Sequence, residues 1–295
     1  MIILNEKEYA EECLKNETID KKPFITLSIL AKYYYHHLGY RKKKITESLT
    51  YYMEKCCESY SINKLSWDDT IENITANAGK YELFEIDGVW ITESELATID
   101  SIKDKVLERL AFTMLCLAKF KNIRNSQNNG WVNTNTKEIF KLARISCNVE
   151  ARFHYINKLV NLGLLEYPKR NDNLNNRVTF IDDNSERILC ISDFRELGYE
   201  YLKFKGGRFT RCQDCGILIR NSKFGTRKYC SACAAYTPLE TKINICVDCG
   251  KGFEIDSKNN KSCRCDDCYD IYRRKYYREN KRKQRKILEM STEQI

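Results

Sequence analysis

The order of apolar and polar positions in the first third of the chain predicts helices followed by a hairpin. One helix covers about Phe24 to Leu38, with Gly39 as its stop signal. A second covers about Arg41 to Cys57, and a third follows Ser66 with Trp67, Ile71 and Ile74 on one face. The segment LFEIDGVWI then reads as a strand, an Asp-Gly turn and a second strand. Residues 1–95 are thus expected to form a helical domain ending in a β-hairpin. Tyr33, Tyr34, Tyr35, Tyr51 and Tyr52 read most simply as core and surface aromatics, with stacking on nucleic-acid bases as the sharper alternative. The Arg41–Lys44 run reads as a solvated helix start or as a phosphate contact, although cations do not favour a helix N-terminus.

Residues 96–182 carry a clearer pattern. Ile102, Val106, Leu110, Met114 and Leu117 recur at helical spacing in a helix from about Glu93 or Asp100 to Lys121. After the polar loop NIRNSQNNG, Trp131 and Val132 read as a short strand. Asn135 with Glu138 makes a capping-box-like start for a second helix, with Ile139, Leu142 and Ala143 inward. A tight connection at Ile145–Asn148 leads to a third helix whose apolar face is Val149, Phe153, Ile156, Leu159 and Val160, closed by Gly163. Leu164–Tyr167 and Arg177–Ile181 read as two strands flanking the polar tip PKRNDNLNN. Helix, strand, helix, tight turn, helix, hairpin is the order of a winged helix-turn-helix. The stretch LVNLGLLEYPKR resembles the end of a winged-helix recognition helix, its closing Gly and the first wing strand. A helical bundle with a hairpin and no DNA contact is the plainer alternative. Residues 183–210 are expected to be a connector: ILCIS a strand, DFRELGYEYLKF a short amphipathic helix, and Gly206-Gly207 a hinge.

Composition narrows the class. At 295 residues, 42% hydrophobic and 31% charged, the chain suits a soluble protein of two or three domains. No apolar run approaches the ~20 residues of a membrane span, and MIILNEKEYAEEC lacks the basic start and apolar length of a signal peptide. A cytoplasmic location, where thiols stay reduced, is therefore expected. The net charge of +9 is unevenly placed. Residues 1–200 hold 28 Lys/Arg against 30 Asp/Glu, whereas residues 201–295 hold 22 against 11. Two Zn²⁺ ions on eight thiolates would lower the tail from +11 to about +7, still a cation suited to a polyanion.

Of fifteen cysteines, eight fall into four Cys-x2-Cys pairs after residue 211. Disulfides suit short secreted chains, so this clustering favours metal. Cys212 and Cys215 precede Cys230 and Cys233 by fourteen intervening residues, and Cys246 and Cys249 precede Cys265 and Cys268 by fifteen. Gly follows the first pair in both copies, where positive φ lets the backbone turn back toward the sulfurs. Tetrahedral Zn²⁺ takes four such ligands, and a hairpin followed by a helix bearing the second pair would bring them together. Two structural Zn²⁺ ions are expected, one in each module at 211–237 and 244–272; an iron–sulfur cluster and redox thiols are the weaker alternatives. Cys263, two residues before Cys265, is an alternative ligand. The order resembles treble-clef and zinc-ribbon modules, which implies closed structural sites.

After Cys268, YDIYRRKYYRENKRKQRKILEM has no Gly or Pro and predicts a basic helical tail, 273–295. Tyr269, Tyr272 and Tyr276 form a face expected to pack back on the second module, and Arg274, Arg278, Arg282 and Lys286 form a cationic ridge. The expected fold is mostly α with small β-hairpins: helical domain, winged helix-turn-helix, two four-cysteine modules and a basic helix. The expected function is non-catalytic DNA binding. Arg152, His154, Tyr155, Asn157, Lys158 and Asn161 on the third helix would reach bases or phosphates, and Lys169, Arg170 and Arg177 in the wing would contact backbone or minor groove. Enzyme readings are weak. HNH-type nucleases need a catalytic His, and none follows His154; the His-x-Glu and Pro-Cys-x2-Cys pair of zinc deaminases is absent, as is a Gly-rich phosphate loop. A protein-interaction adaptor, using the N-terminal domain as platform, and an RNA binder are the alternatives. The segments DFRELGYEYLKFKGG and CVDCGKGFEIDSKNNKSCRCDDC with the basic helix resemble proteins of phages and mobile elements in low-GC bacteria. That resemblance implies a transcription regulator or replication accessory factor and carries no defined activity.

Overall fold

A computed structural model describes residues 2–20, 23–57, 60–168, 175–222, 225–236, 241–256 and 262–292. It is mostly helical, with small antiparallel strand pairs. The chain divides into two compact units, Met1–Lys228 and Tyr229–Ile295. Among the described residues no helix is long and apolar enough to cross a membrane.

The first unit has two cores. α1 (Glu6–Asn16), α2 (Pro23–His36), α3 (Lys42–Cys56) and α4 (Lys64–Ala76) enclose one of them, built on Leu27, Leu30, Ile45, Leu49, Met53 and Ile71. The helices read from sequence are there, and α1 is an addition. Its signal lay in Asn5 and Glu8: the Asn5 side chain caps the helix by accepting from the Glu8 N–H at 3.0 Å. Tyr33, Tyr34 and Tyr52 are buried in this core, whereas Tyr35 and Tyr51 are exposed.

The expected 83–91 hairpin does not form. β1 (Val89–Thr92) pairs instead with β5 (Arg187–Ile191), with Val89 opposite Ile191 and Ile91 opposite Leu189. Phe84–Ile86 is taken by the N-terminus, through Glu6 N–H to Phe84 O at 2.8 Å and Ile86 N–H to Leu4 O at 3.0 Å. Gly88 is not a turn residue here. A Cβ on it would lie 2.6 Å from Cys190 Sγ and 2.8 Å from Ile191 O, so its missing side chain lets β5 lie close.

The expected helix from Glu93 to Lys121 is two helices, α5 (Glu93–Asp100) and α6 (Lys105–Arg124). Lys103 at φ +55 breaks the run, and Asp104 starts α6 by accepting from the Val106 and Leu107 N–H groups. β2 (Trp131–Val132), α7 (Thr136–Leu142), α8 (Val149–Asn161), β3 (Leu165–Glu166) and β4 (Asn176–Val178) follow in the expected order. The three strands form one antiparallel sheet in the order β2-β4-β3. Asn148 caps α8 through the Ala151 N–H at 2.9 Å. Gly163, at φ +73, ends it, with the Leu164 N–H reaching Leu159 O at 3.0 Å. α6 is the hub of the second core, which also takes in Ile139, Phe140, Ile156, Leu159, Leu165 and Val178.

α9 (Leu197–Phe204) docks on the α7–α8 connection. Arg144, in the left-handed region, pairs with Glu196, and Gly198 sits directly on the backbone of Ala143. A Cβ at Gly198 would lie 2.1 Å from Ala143 O, with no flexible side chain to yield. Gly198→Ala is therefore expected to lower stability by about 3 kcal/mol, the upper end of overpacking costs. A urea midpoint equal to wild type would disprove the close approach.

The remaining elements flank or carry the paired cysteines. β6 (Phe209–Arg211) pairs with β7 (Leu218–Arg220), and α10 (Ser231–Tyr236) follows. β8 (Thr241–Ile245) pairs with β9 (Gly252–Asp256), and α11 (Asp266–Thr292) closes the second unit.

Candidate metal centres and nucleic-acid interface

Two groups of four sulfurs are assembled: Cys212, Cys215, Cys230 and Cys233, and Cys246, Cys249, Cys265 and Cys268. Within each group all Sγ atoms lie within 4.8 Å of one another. Four sulfurs at ~2.3 Å from a tetrahedral ion sit about 3.8 Å apart, so this spacing fits one metal ion per group. Cys249 and Cys265 Sγ, at 3.7 Å, already match it. Cys265 belongs to the second group and Cys263 does not, in keeping with the repeated Cys-x2-Cys spacing. Cys263 is exposed and its carbonyl accepts from the Val247 N–H at 2.9 Å.

The local geometry follows from the sequence, with one change. The stretch between the cysteine pairs, where a hairpin was expected, is described only in part. The Cys-x2-Cys-Gly turn is itself the tip of each hairpin, joining β6 to β7 and β8 to β9. Gly216 and Gly250, at φ +68 and +71, return the chain as expected. In the second module the Cys246 N–H reaches Lys251 O and the Gly250 N–H reaches Cys246 O, both at 2.9 Å. Each second pair straddles a helix start: Cys230 and Cys265 precede α10 and α11, while Cys233 and Cys268 lie in their first turns.

Burial disfavours a thiolate at Cys246, yet the N–H groups of Cys265, Cys249 and Asp248 outweigh it and lower the thiol to about 6. Cys268 is pushed far up instead, by hydrogen bonding to Cys265 and Cys249 and by burial. Without a metal dication, four adjacent sulfurs cannot all ionise. Each donor set is four cysteine sulfurs, the number that fills a tetrahedral shell.

The third-helix residues divide into two groups. His154, Asn157, Lys158 and Asn161 face solvent on α8. Asn157 also accepts the Tyr167 hydroxyl. Arg152 and Tyr155, expected outside, turn inward. Arg152 Nη2 donates to Cys147 O at 3.2 Å, its Nε is buried without a partner, and Tyr155 packs on Phe140 with ring centroids 6.3 Å apart. Conversely, Val149 and Phe153, expected in the core, are 58% and 51% exposed. The first turn of α8 overhangs the core, which Ile156 and Leu159 fill from the following turns.

In the wing, Arg177 is held by Glu166 at 3.1 Å, by Asn129 O at 3.0 Å and by Asn129 Oδ1 at 3.2 Å, so it braces the sheet. Lys169 and Arg170 lie outside the described residues. On α11, Arg274 and Arg278 are exposed and form no ion pair among the described residues. Arg282 and Lys286 lie on the same helix, but their side chains lie outside those described. The Tyr269, Tyr272 and Tyr276 face packs back on the second module only in part, at Tyr272. It is 53%, 45% and 52% exposed, with Tyr272 stacked on Tyr276 and capped by Arg264 at 4.3 Å. No protein-family model, curated protein or solved structure matches the chain.

Proposed function

We propose that the chain is a non-catalytic, zinc-dependent DNA-binding protein that acts as a transcription regulator or replication accessory factor. The observation that carries the reading is the β2-β4-β3 sheet beside α6, α7 and α8. The strand between the first two helices pairs with the far strand of the C-terminal hairpin, as in a winged helix-turn-helix. In such a domain α8 is the element that enters the major groove, and it presents His154, Asn157, Lys158 and Asn161. The exposed cations of α11 add a phosphate grip that is independent of sequence. Four cysteine sulfurs at tetrahedral spacing in each site favour Zn²⁺ as the ion.

Selection from a random DNA pool tests specificity, and the salt dependence of duplex binding tests the contacts. Each Lys or Arg that touches a phosphate contributes a slope of about one in log K against log salt. Arg274→Ala with Arg278→Ala should lower the slope by about two and weaken all sequences alike. Lys158→Ala should weaken the selected sequence more than a scrambled one. No enriched motif, together with an unchanged slope, would remove the assignment.

A protein-interaction adaptor is the second reading, favoured by Ile243 and Ile245 on β8 and Val247 in the turn after it, which are 77%, 68% and 64% exposed. Its discriminating result is clean protein at low salt that ignores both duplex DNA and RNA.

A further inference from the structure

We propose that the cleft between the first turn of α6, α9 and the β6–β7 hairpin binds a phosphorylated nucleoside. The cleft lies within the first compact unit and holds about 680 Å³, a size typical of small-molecule sites. Lys105, Lys205, Arg208 and Arg220 line it, against the single carboxylate of Glu108. Glu108 is already engaged by the Tyr201 hydroxyl at 3.0 Å, and Lys205 is paired with Asp100 at 2.6 Å. Lys105 and Arg220 are exposed and form no ion pair among the described residues.

Lys105 and Arg220 share the cleft with no ion pair to either among the described residues. Arg109, behind the cleft, donates to Arg144 O at 2.9 Å. Its guanidinium is lowered below the ordinary range by burial and then by repulsion from the Arg220 charge. An anion in the cleft would relieve that repulsion, and arginine favours the fork geometry of phosphate oxygens.

The rest of the lining suits a flat, partly apolar group. Leu202 and the Phe209 ring form one wall, and Phe209 leans on Tyr199 with centroids 5.1 Å apart. A Cβ at Gly207 would lie 2.6 Å from the Phe209 ring and 2.7 Å from Leu202 O, so glycine keeps that wall closed. Asn221 lines the opposite side. Its Oδ1 is occupied by the Thr210 hydroxyl at 3.2 Å and the Arg227 N–H at 3.1 Å, which leaves Nδ2 as a donor for a base edge. Phosphate on cations, ring on Phe209 and amide on an edge together describe a nucleotide. Its source is either a free nucleotide or the phosphorylated end of a strand.

The test uses the full metal-loaded chain and isothermal titration with ATP, GTP, inorganic phosphate, and a short single-stranded oligonucleotide with and without a 5′-phosphate. At least one phosphorylated nucleoside probe should bind, and Arg220→Glu and Lys105→Glu should each weaken it by about tenfold or more, the loss of one charge-assisted contact. Both side chains are exposed, so metal content and thermal unfolding should stay at wild-type values. Binding of ATP or GTP identifies a free nucleotide. Binding of only the phosphorylated oligonucleotide identifies a strand end. The proposal is overturned if no phosphorylated probe binds, if inorganic phosphate binds as tightly as the nucleotides, or if Arg220→Glu binds as well as wild type. Affinity for a blunt duplex without terminal phosphates, measured on the same preparations, reports separately on the DNA-binding reading.

Discussion

Chelation should unfold the β8–β9 module while both hydrophobic cores of the first unit remain protected. The argument is one of scale. In residues 229–295 the buried apolar side chains are Cys246 and Ile255, among the described residues. Burying one or two such side chains yields roughly 1.5–3 kcal/mol each, whereas ordering each residue costs about 1–2 kcal/mol of backbone entropy. A structural zinc site contributes on the order of 10–16 kcal/mol at neutral pH, so the metal is the term that tips the balance. The cores built on α2–α4 and α6 contain no cysteine of either metal group. Native mass spectrometry should show two ions per chain, falling to none with a strong chelator. Hydrogen exchange should show loss of protection at Ile243, Asn244 and Ile245, which pair with Glu254, Phe253 and Gly252, and no change along α6. Cys265→Ser should retain one ion and Cys263→Ser two. Unchanged strand protection after metal removal would mean that the hairpin stands without the ion.

What the sequence disclosed was what is locally determined. The knuckles were legible because a Cys-x2-Cys-Gly turn is one turn of chain with a left-handed glycine, and Gly216 and Gly250 take that conformation. Helices α7 and α8 were legible from Asn135, Asn148 and Gly163, which act within four residues of themselves. The partner of β1 was not legible. Asp87-Gly88 carries a hairpin cue, but the strand that pairs with Val89–Thr92 arrives about a hundred residues later, and nothing near Gly88 reports it. The face of α8 was half legible. Periodicity marks Val149, Phe153 and Ile156 alike, yet how far the core reaches under the helix depends on α6, Phe140 and Leu165. Arg152 shows the converse: a charged residue was assigned to solvent, although its guanidinium bonds the Cys147 carbonyl beneath the helix start. The cationic cleft was invisible for the same reason, since Lys105 and Arg220 are over a hundred residues apart.

Glu95→Ala should destabilise the first unit by about 3–5 kcal/mol, the cost of leaving a buried charge unpaired. Glu95 is fully buried, and its carboxylate gathers three segments. It receives the Thr92 N–H at 2.8 Å, the Asp182 N–H at 3.0 Å, and Lys119 Nζ at 2.8 and 3.0 Å. Lys119, also buried, keeps only Asp183 if Glu95 is lost, and that carboxylate is largely exposed. The pair therefore ties the start of α5, the middle of α6 and the approach to β5 at one point. Its position explains why β1 selects β5: Thr92 donates through its hydroxyl to Asp182 O at 3.0 Å, which holds the incoming chain in register. Lys119→Met should also destabilise, because it leaves Glu95 with amide donors alone. The Glu95→Gln, Lys119→Met double variant should recover part of the loss, since a neutral pair costs less to bury than a single charge. Urea unfolding of wild type, Glu95→Gln, Lys119→Met and the double variant closes the cycle. A Glu95→Ala cost below about 1 kcal/mol, the range of an exposed pair, would show that solvent reaches the site and that the pair does not fix the register.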